Sequence, residues 1–220
     1  MCFRRSPQGR TQQRGVGYAA SGTWPHAARD WRGGRVVFPH TTPNGRAVGT
    51  AEQVPKAKRH DHLPGAKGYF NAAALQPGAG PLWVCEGAFD ALALRAAGVP
   101  RVVAIFGVPR WRWDWVREVR ELVFALDADG AGQQQWRQLA RQAALRGKRV
   151  AVLPAGAYGG CKDVSEAWAA GVLAVDTGPA AATGGEALAV PPHLRESWAE
   201  RVAIMVMDGG LACEEAERLA

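Results

Sequence analysis

Leu82-Trp-Val-Cys-Glu-Gly-Ala-Phe-Asp90 and, further along, Leu122-Val-Phe-Ala-Leu-Asp-Ala-Asp-Gly-Ala-Gly132 are two versions of one pattern. Each is a short apolar run that ends in carboxylates and then opens a helical periodicity. Apolar strands without polar alternation, each followed by a helix, belong to a parallel sheet covered on both faces, and the carboxyl edge of such a sheet is where ligands bind. The pattern therefore sets Glu86, Asp127 and Asp129 along one edge, where an α/β domain keeps a metal site.

Working outward, strand and helix alternate from residue 81 to about 171: strand 82–85 and helix 87–97, strand 101–105 with a Trp-rich turn and a helix near 113–120, strand 122–126 and helix 131–146, strand 149–153 and helix 164–170. This succession predicts an α/β fold, Rossmann-like, with a mostly parallel sheet and helices on both faces. Upstream, Arg35-Val-Val-Phe-Pro39, the turn Pro43-Asn-Gly45 and Arg46-Ala-Val-Gly-Thr50 predict a β-hairpin. The expected divisions are a poorly ordered basic segment 1–33, a small basic α+β subdomain 34–80, the α/β domain 81–173, an Ala/Gly/Pro-rich linker 174–192 and a helical appendage 193–220. Within the subdomain, residues 56–68 read as a basic loop.

Charge follows the same division. Residues 1–80 carry 12 Lys and Arg against Asp30, Glu52 and Asp61, whereas residues 81–220 carry 15 against 17 acids. Clustered cations suit a polyanion, since phosphate neutralisation rewards Lys and Arg whatever the sequence, although a solvated basic tail has the same composition. Cys2, Cys85, Cys161 and Cys213 are scattered, so neither a structural zinc site nor a disulfide framework is indicated. No apolar run reaches the ~18 residues of a bilayer span, and Met1-Cys-Phe-Arg-Arg-Ser6 lacks a signal-peptide core; a cytoplasmic protein with no membrane partner is expected.

Carboxylates on neighbouring strand ends hold divalent cations through oxygen, and Mg²⁺ needs only one or two of them plus water and phosphate. Phosphoryl transfer is the reaction class this favours. Each acid also has a structural role open to it: Asp129 can cap the helix after it, Asp163 with Glu166 has capping-box spacing, and Asp90 sits one turn from Glu86. Capping does not account for a Glu at the first strand end together with the Asp pair at the third. A calcium loop beginning at Asp127 fails at Ala131 and Gln138. Gly147-Lys148 is followed by Arg149 and is no P-loop. His60-Asp-His62 lies in a basic loop without a further ligand nearby. In Trp111-Arg-Trp-Asp-Trp115 the aromatics either stack bases or cover the sheet edge.

Glu86-Gly-Ala-Phe-Asp90, Asp127-Ala-Asp-Gly-Ala-Gly132 and Gly160-Cys-Lys-Asp163, in that order and each after a strand, resemble the three signature blocks of the TOPRIM domain in its bacterial DnaG-type primase form. Upstream, Arg35-Val-Val-Phe-Pro39, Gly45-Arg-Ala-Val-Gly49, Pro55-Lys56 and Ala66-Lys-Gly68 are similar to the basic subdomain that precedes TOPRIM in those primases; the resemblance covers about residues 33–172.

The resemblance implies synthesis of short RNA primers on a single-stranded DNA template from nucleoside triphosphates, beside a replicative helicase, in a plasmid, phage or other mobile replicon. Glu86 is then the acid closest to the catalytic step; Asp127, Asp129 and Asp163 bind Mg²⁺ or Mn²⁺ with the incoming nucleotide; Asp90 and Lys162 support them; Arg35, Lys56 and Lys67 face nucleotide or template. The chain departs from the family in having Ala128 between the aspartates, Ser165 where a further acid often stands, and no cysteine pattern for the family's zinc module. A TOPRIM nuclease using similar acids and a decayed single-stranded DNA-binding adaptor are the rival expectations.

Overall fold

A computed structural model of the chain describes residues 16–19, 35–54, 59–62, 67–125, 127, 130–176, 186–187 and 190–220. They fall into two compact units, the chain dividing between Gln76 and Pro77.

The first unit is a four-stranded antiparallel sheet ordered β1-β2-β3-β4, with β1 at Gly17–Ala19, β2 at Arg35–Thr41, β3 at Ala47–Val54 and β4 at Arg59–His62. The hairpin expected from Pro43-Asn-Gly45 is β2 and β3, both longer than the apolar pattern indicates. Two outer strands correct the sequence-based expectations. The stretch 1–33 contributes β1, which pairs Gly17 with Val37, and the basic loop 56–68 contains β4, which pairs Val54 with Arg59. The edges of a hairpin present unpaired backbone N–H and C=O groups, and a polar segment can satisfy them through its own backbone without any apolar periodicity. Beyond Lys67, Thr41 and Tyr69 exchange backbone hydrogen bonds of 2.8 and 3.0 Å, and the Thr41 hydroxyl accepts the N–H of Ala72 at 3.1 Å. Buried Phe38, Tyr69, Phe70 and Leu75 fill the space beneath, with Phe38 and Phe70 edge to face at 5.6 Å. A 3₁₀ turn, Ala72–Leu75, closes the unit.

The second unit carries the expected α/β sheet, ordered β6-β5-β7-β8-β9, with β5 at Leu82–Cys85, β6 at Val102–Ala104, β7 at Glu121–Ala125 and β8 at Arg149–Val152 parallel to one another and β9 at Glu186–Ala187 on the edge. Leu82 to Cys85, Val102 to Ala104 and Leu122 to Ala125 are buried throughout, which is why these strands read as unbroken apolar runs. Helix α1 (Ala88–Ala96) joins β5 to β6, α2 (Gly130–Leu145) joins β7 to β8, and α3 (Val164–Ala169) follows β8. Because β6 lies on one side of β5 and β8 on the far side of β7, right-handed crossovers place α1 and α2 on opposite faces. Helix α3 packs on α1.

Two further expectations are corrected here. Residues 113–120 are not an α-helix; the connection from β6 to β7 runs through 3₁₀ turns at Val108–Arg110 and Asp114–Val116. Its tryptophans follow no helical stripe because they are spent on local packing: Trp111 meets Trp113 edge on at 5.4 Å and Phe124 at 6.0 Å, and Phe124 meets Trp136 of α2 at 5.8 Å. The Lys148 ammonium ties the end of this segment down, donating to the carbonyls of Val116, Arg117 and Val119. The stretch 174–192 is also more than a linker, since β9 (Glu186–Ala187) pairs antiparallel with β8. Helices α4 (Pro192–Met207) and α5 (Cys213–Leu219) follow. The Arg146 guanidinium anchors them: it lies 3.8 Å over the Trp113 ring and 4.9 Å over Trp198, and pairs with Glu217 at 2.7 Å. No described helix is long and apolar enough to cross a membrane.

Candidate active site

β5 and β7 are neighbours with Cys85 opposite Ala125, so Glu86 and Asp127 leave the sheet from adjacent strand ends. The chain turns from β5 toward β6 and from β7 toward β8, which makes the gap between β5 and β7 the switch point of the sheet. Asp163 arrives from the loop after β8 and caps α3: its Oδ1 accepts the N–H of Glu166 at 2.8 Å and the Ser165 hydroxyl at 2.8 Å. Both roles open to Asp163 thus bear on one place, because the helix it caps begins beside the other acids.

Asp90 holds this arrangement from below. It is buried, at 7% exposure, and shares its two oxygens between two helix starts. Oδ2 accepts the N–H of Gly87 at 3.1 Å, the reach-back half of a capping box on α1, and Oδ1 accepts the N–H of Ser165 at 3.0 Å at the start of α3. Glycine leaves room for the α1 contact: a Cβ at position 87 would lie 2.7 Å from Asp90 Oδ2 and would push the carboxylate aside.

The acids repel one another. Burial, with Asp90, Glu86 and Asp163 nearby, raises Asp127 from 3.8 to about 7, and among the described residues Lys162 opposes the shift. Burial and Asp163 raise Asp90 from 3.8 to about 6, against the hydrogen bonds from Ser165 and Gly87. Burial pushes the Cys85 thiol up, reinforced by Asp90, Asp127 and Glu86, so it is a core group and no nucleophile. Among the described residues no three His, Cys, Asp or Glu side chains come together as a group that could hold a metal ion. An open set of oxygen donors short of positive charge is nevertheless what Mg²⁺ or Mn²⁺ takes, with water and phosphate completing its shell.

A pH dependence follows. Asp90 and Asp127 hold protons in the folded state up to about 6 and 7, above the 3.8 of a free carboxyl, so folding is favoured by protonation and loses stability as pH rises from about 4 to 7. A divalent cation held by these acids would reverse the loss at neutral pH. With chelator present, the melting temperature is expected to fall across this window. Millimolar Mg²⁺ should then raise it by roughly 5 °C at pH 7.5 and far less at pH 5. An equal Mg²⁺ effect at both pH values would contradict this, and Asp127→Asn should abolish the difference.

Residues 83–168 match the family model described as Toprim-like. This segment is a Toprim-like domain. No curated protein matches the chain. Among solved structures, the chain is similar to the zinc-binding and RNA polymerase domains of the Aquifex aeolicus primase, at 18% identity and TM-score 0.52 over 90% of this chain and 48% of that one. A DNA primase domain from Pseudomonas aeruginosa matches at 21% identity and TM-score 0.49 over 84% and 60%. The primase fragment of the bacteriophage T7 primase-helicase protein matches at 22% and 0.46 over 63% and 58%. The chain spans about half the length of these primase chains, and the Aquifex likeness shows the fold shared with the Toprim-like domain.

The Toprim-like domain gathers Glu86, Asp90, Asp127, Lys162 and Asp163; Asp129 lies outside the described residues. Arg35 and Lys67 belong to the first unit, at the start of β2 and just before the Tyr69 bridge, while Lys56 is outside the described residues. Sequence reasoning noticed Ser165 only as a missing acid. In the Toprim-like domain it joins Asp90 to Asp163, a role whose one sequence signal is the preference of Ser for helix starts.

Proposed function

We propose that this chain is a primase-like nucleotidyltransferase that joins ribonucleotides into short primers on single-stranded DNA. The observation that carries the proposal is the convergence of Glu86, Asp127 and Asp163 at the switch point of a Toprim-like sheet, over a buried Asp90 that fixes two of the approaching elements. Asp127, Asp129 and Asp163, with Glu86, would hold Mg²⁺ or Mn²⁺. The cation would neutralise triphosphate charge and favour attack of a ribose 3′-hydroxyl on an α-phosphate. The chain's own part is to orient. Asp90 holds the starts of α1 and α3, Lys162 offsets the surplus negative charge, and the strand ends keep Glu86 and Asp127 side by side.

The basic first unit supplies the cations for template or nucleotide, with Arg35, Lys56 and Lys67 in that role, and a replicative helicase is the proposed partner. Lys56→Ala is expected to weaken single-stranded DNA binding several-fold and to lower the slope of log affinity against log salt by about 1. A fluorescence titration across salt concentrations measures it, and an unchanged slope removes Lys56 from the interface. The test of the activity supplies ribonucleoside triphosphates, Mg²⁺ or Mn²⁺ and an unprimed single-stranded template. Primers of defined length are expected. Template cleavage without synthesis would establish a nuclease instead, and binding without either reaction an adaptor.

A further inference from the structure

The connection that leaves β6 runs past Glu86 in an unusual conformation. Through the sheet, β6 pairs with β5 in register, Cys85 opposite Ala104. Beyond the strand end two consecutive amides bond to β5: Ile105 N–H to the carbonyl of Cys85 at 3.1 Å, and Phe106 N–H to the carbonyl of Glu86 at 2.9 Å. Successive amides of an extended strand point to opposite sides, so two in a row on one neighbour mark the place where β6 stops being a strand. The turn is completed by positive φ at two consecutive residues, 56° at Phe106 and 110° at Gly107.

Among the described residues, the non-glycine positions with positive φ are Asn71 and Phe106. Asn tolerates this region through its short polar side chain, whereas a bulky aromatic residue there is an outlier. The next residue passes near the carboxylate: a Cβ at Gly107 would come within van der Waals contact of Glu86 Oε1, at 3.9 Å. The chain then closes a 3₁₀ turn in which Arg110 N–H bonds to the Gly107 carbonyl at 3.0 Å.

We infer that the Phe106–Gly107 turn is a positioning element for Glu86. The Phe106 amide fixes the Glu86 main chain past the end of its strand, and Gly107, lacking a Cβ, lets the turn pass close to the carboxylate without filling the space beside it. The left-handed conformation, rather than the phenyl ring, does the holding. The inference rests on the assignment of Glu86 to the reaction proposed above, and the tests below separate the two.

Phe106→Asn keeps the left-handed turn accessible, and Phe106→Val disfavours it because a β-branched side chain crowds the backbone. In the full-length protein, Phe106→Val is expected to lower kcat for nucleotide incorporation by roughly 10- to 100-fold with little change in nucleotide KM, the mark of a misplaced group. Phe106→Asn should restore most of that loss. Amide hydrogen exchange provides a readout independent of activity. Exchange at Phe106 should be at least ~10-fold faster in Phe106→Val, while Val84 and Val103 inside the ladder keep their protection. Should Phe106→Val fail to fold, Gly107→Ala carries the test with the same two readouts. Loss of kcat with the Phe106 amide still protected, or loss of protection with kcat intact, overturns the inference. If the parent protein makes no primers, the proposed reaction fails, and faster exchange in Phe106→Val still identifies the clamp.

Discussion

Glu86→Gln is expected to reduce ribonucleotide incorporation by about 10²- to 10⁴-fold, the usual range for removing a positioned acid or base, while leaving the protein folded. The substitution keeps the size of the side chain and its place after β5, and deletes a carboxylate from a group of mutually repelling acids. Glu86 is one of the causes that raise Asp127, so its neutralisation should bring Asp127 back toward the ordinary carboxylate range. In chelator at neutral pH the variant should therefore melt no lower than the parent. Its response to Mg²⁺ should shrink, because the ion meets one fewer donor. Loss of chemistry without loss of stability is the signature of a group kept for function and not for folding. Primer assays alongside thermal melts measure both halves, and incorporation within a few-fold of the parent would remove Glu86 from the reaction.

Trp136→Ala is expected to destabilise the second unit by about 3–5 kcal/mol, the range for deleting a fully buried aromatic residue. Trp136 is wholly buried on α2 and packs at 5.8 Å on Phe124, the β7 residue three positions before Asp127. Its indole N–H is also buried and has no hydrogen-bond partner among the described residues. An unsatisfied buried donor carries a penalty, so part of what the ring contributes is cancelled by its nitrogen. Trp136→Phe keeps an aromatic face against Phe124 and removes that donor, and should lower stability by only about 1 kcal/mol. Urea unfolding followed by circular dichroism compares the two variants. Equal effects would show that the aromatic contact with Phe124 contributes nothing at this position and would overturn this account.

The sheet was legible because its strands are buried on both faces. Leu82 to Cys85 and Leu122 to Ala125 advertise themselves as apolar runs, and the carboxylates that follow them mark the edge on which Glu86 and Asp127 stand. The missed elements hide for a common reason. β1, β4 and β9 are short and join their sheets through backbone pairing, which demands little of side-chain pattern. The Trp-rich connection looked helical by length, yet its aromatics are committed to Phe124, Arg146 and one another. Around the candidate site, the acids could be read from strand ends, whereas the supports could not. Ser165 meets Asp90 across 75 residues of sequence, and nothing about Phe106 announces a left-handed backbone.

That separation also gives the site an order of assembly. Asp90 receives its Gly87 partner as soon as α1 winds, a contact local enough to form early. Its second partner, Ser165, is joined only after three more strands and another helix have been laid down. A chain emerging from the ribosome can therefore build β5 to β8 and still lack the cross-link that brings Asp163 in beside Asp127. Competence of the acidic cluster is a late event in the life of the molecule, set by the last helix of the Toprim-like domain rather than by the strands on which most of its acids stand.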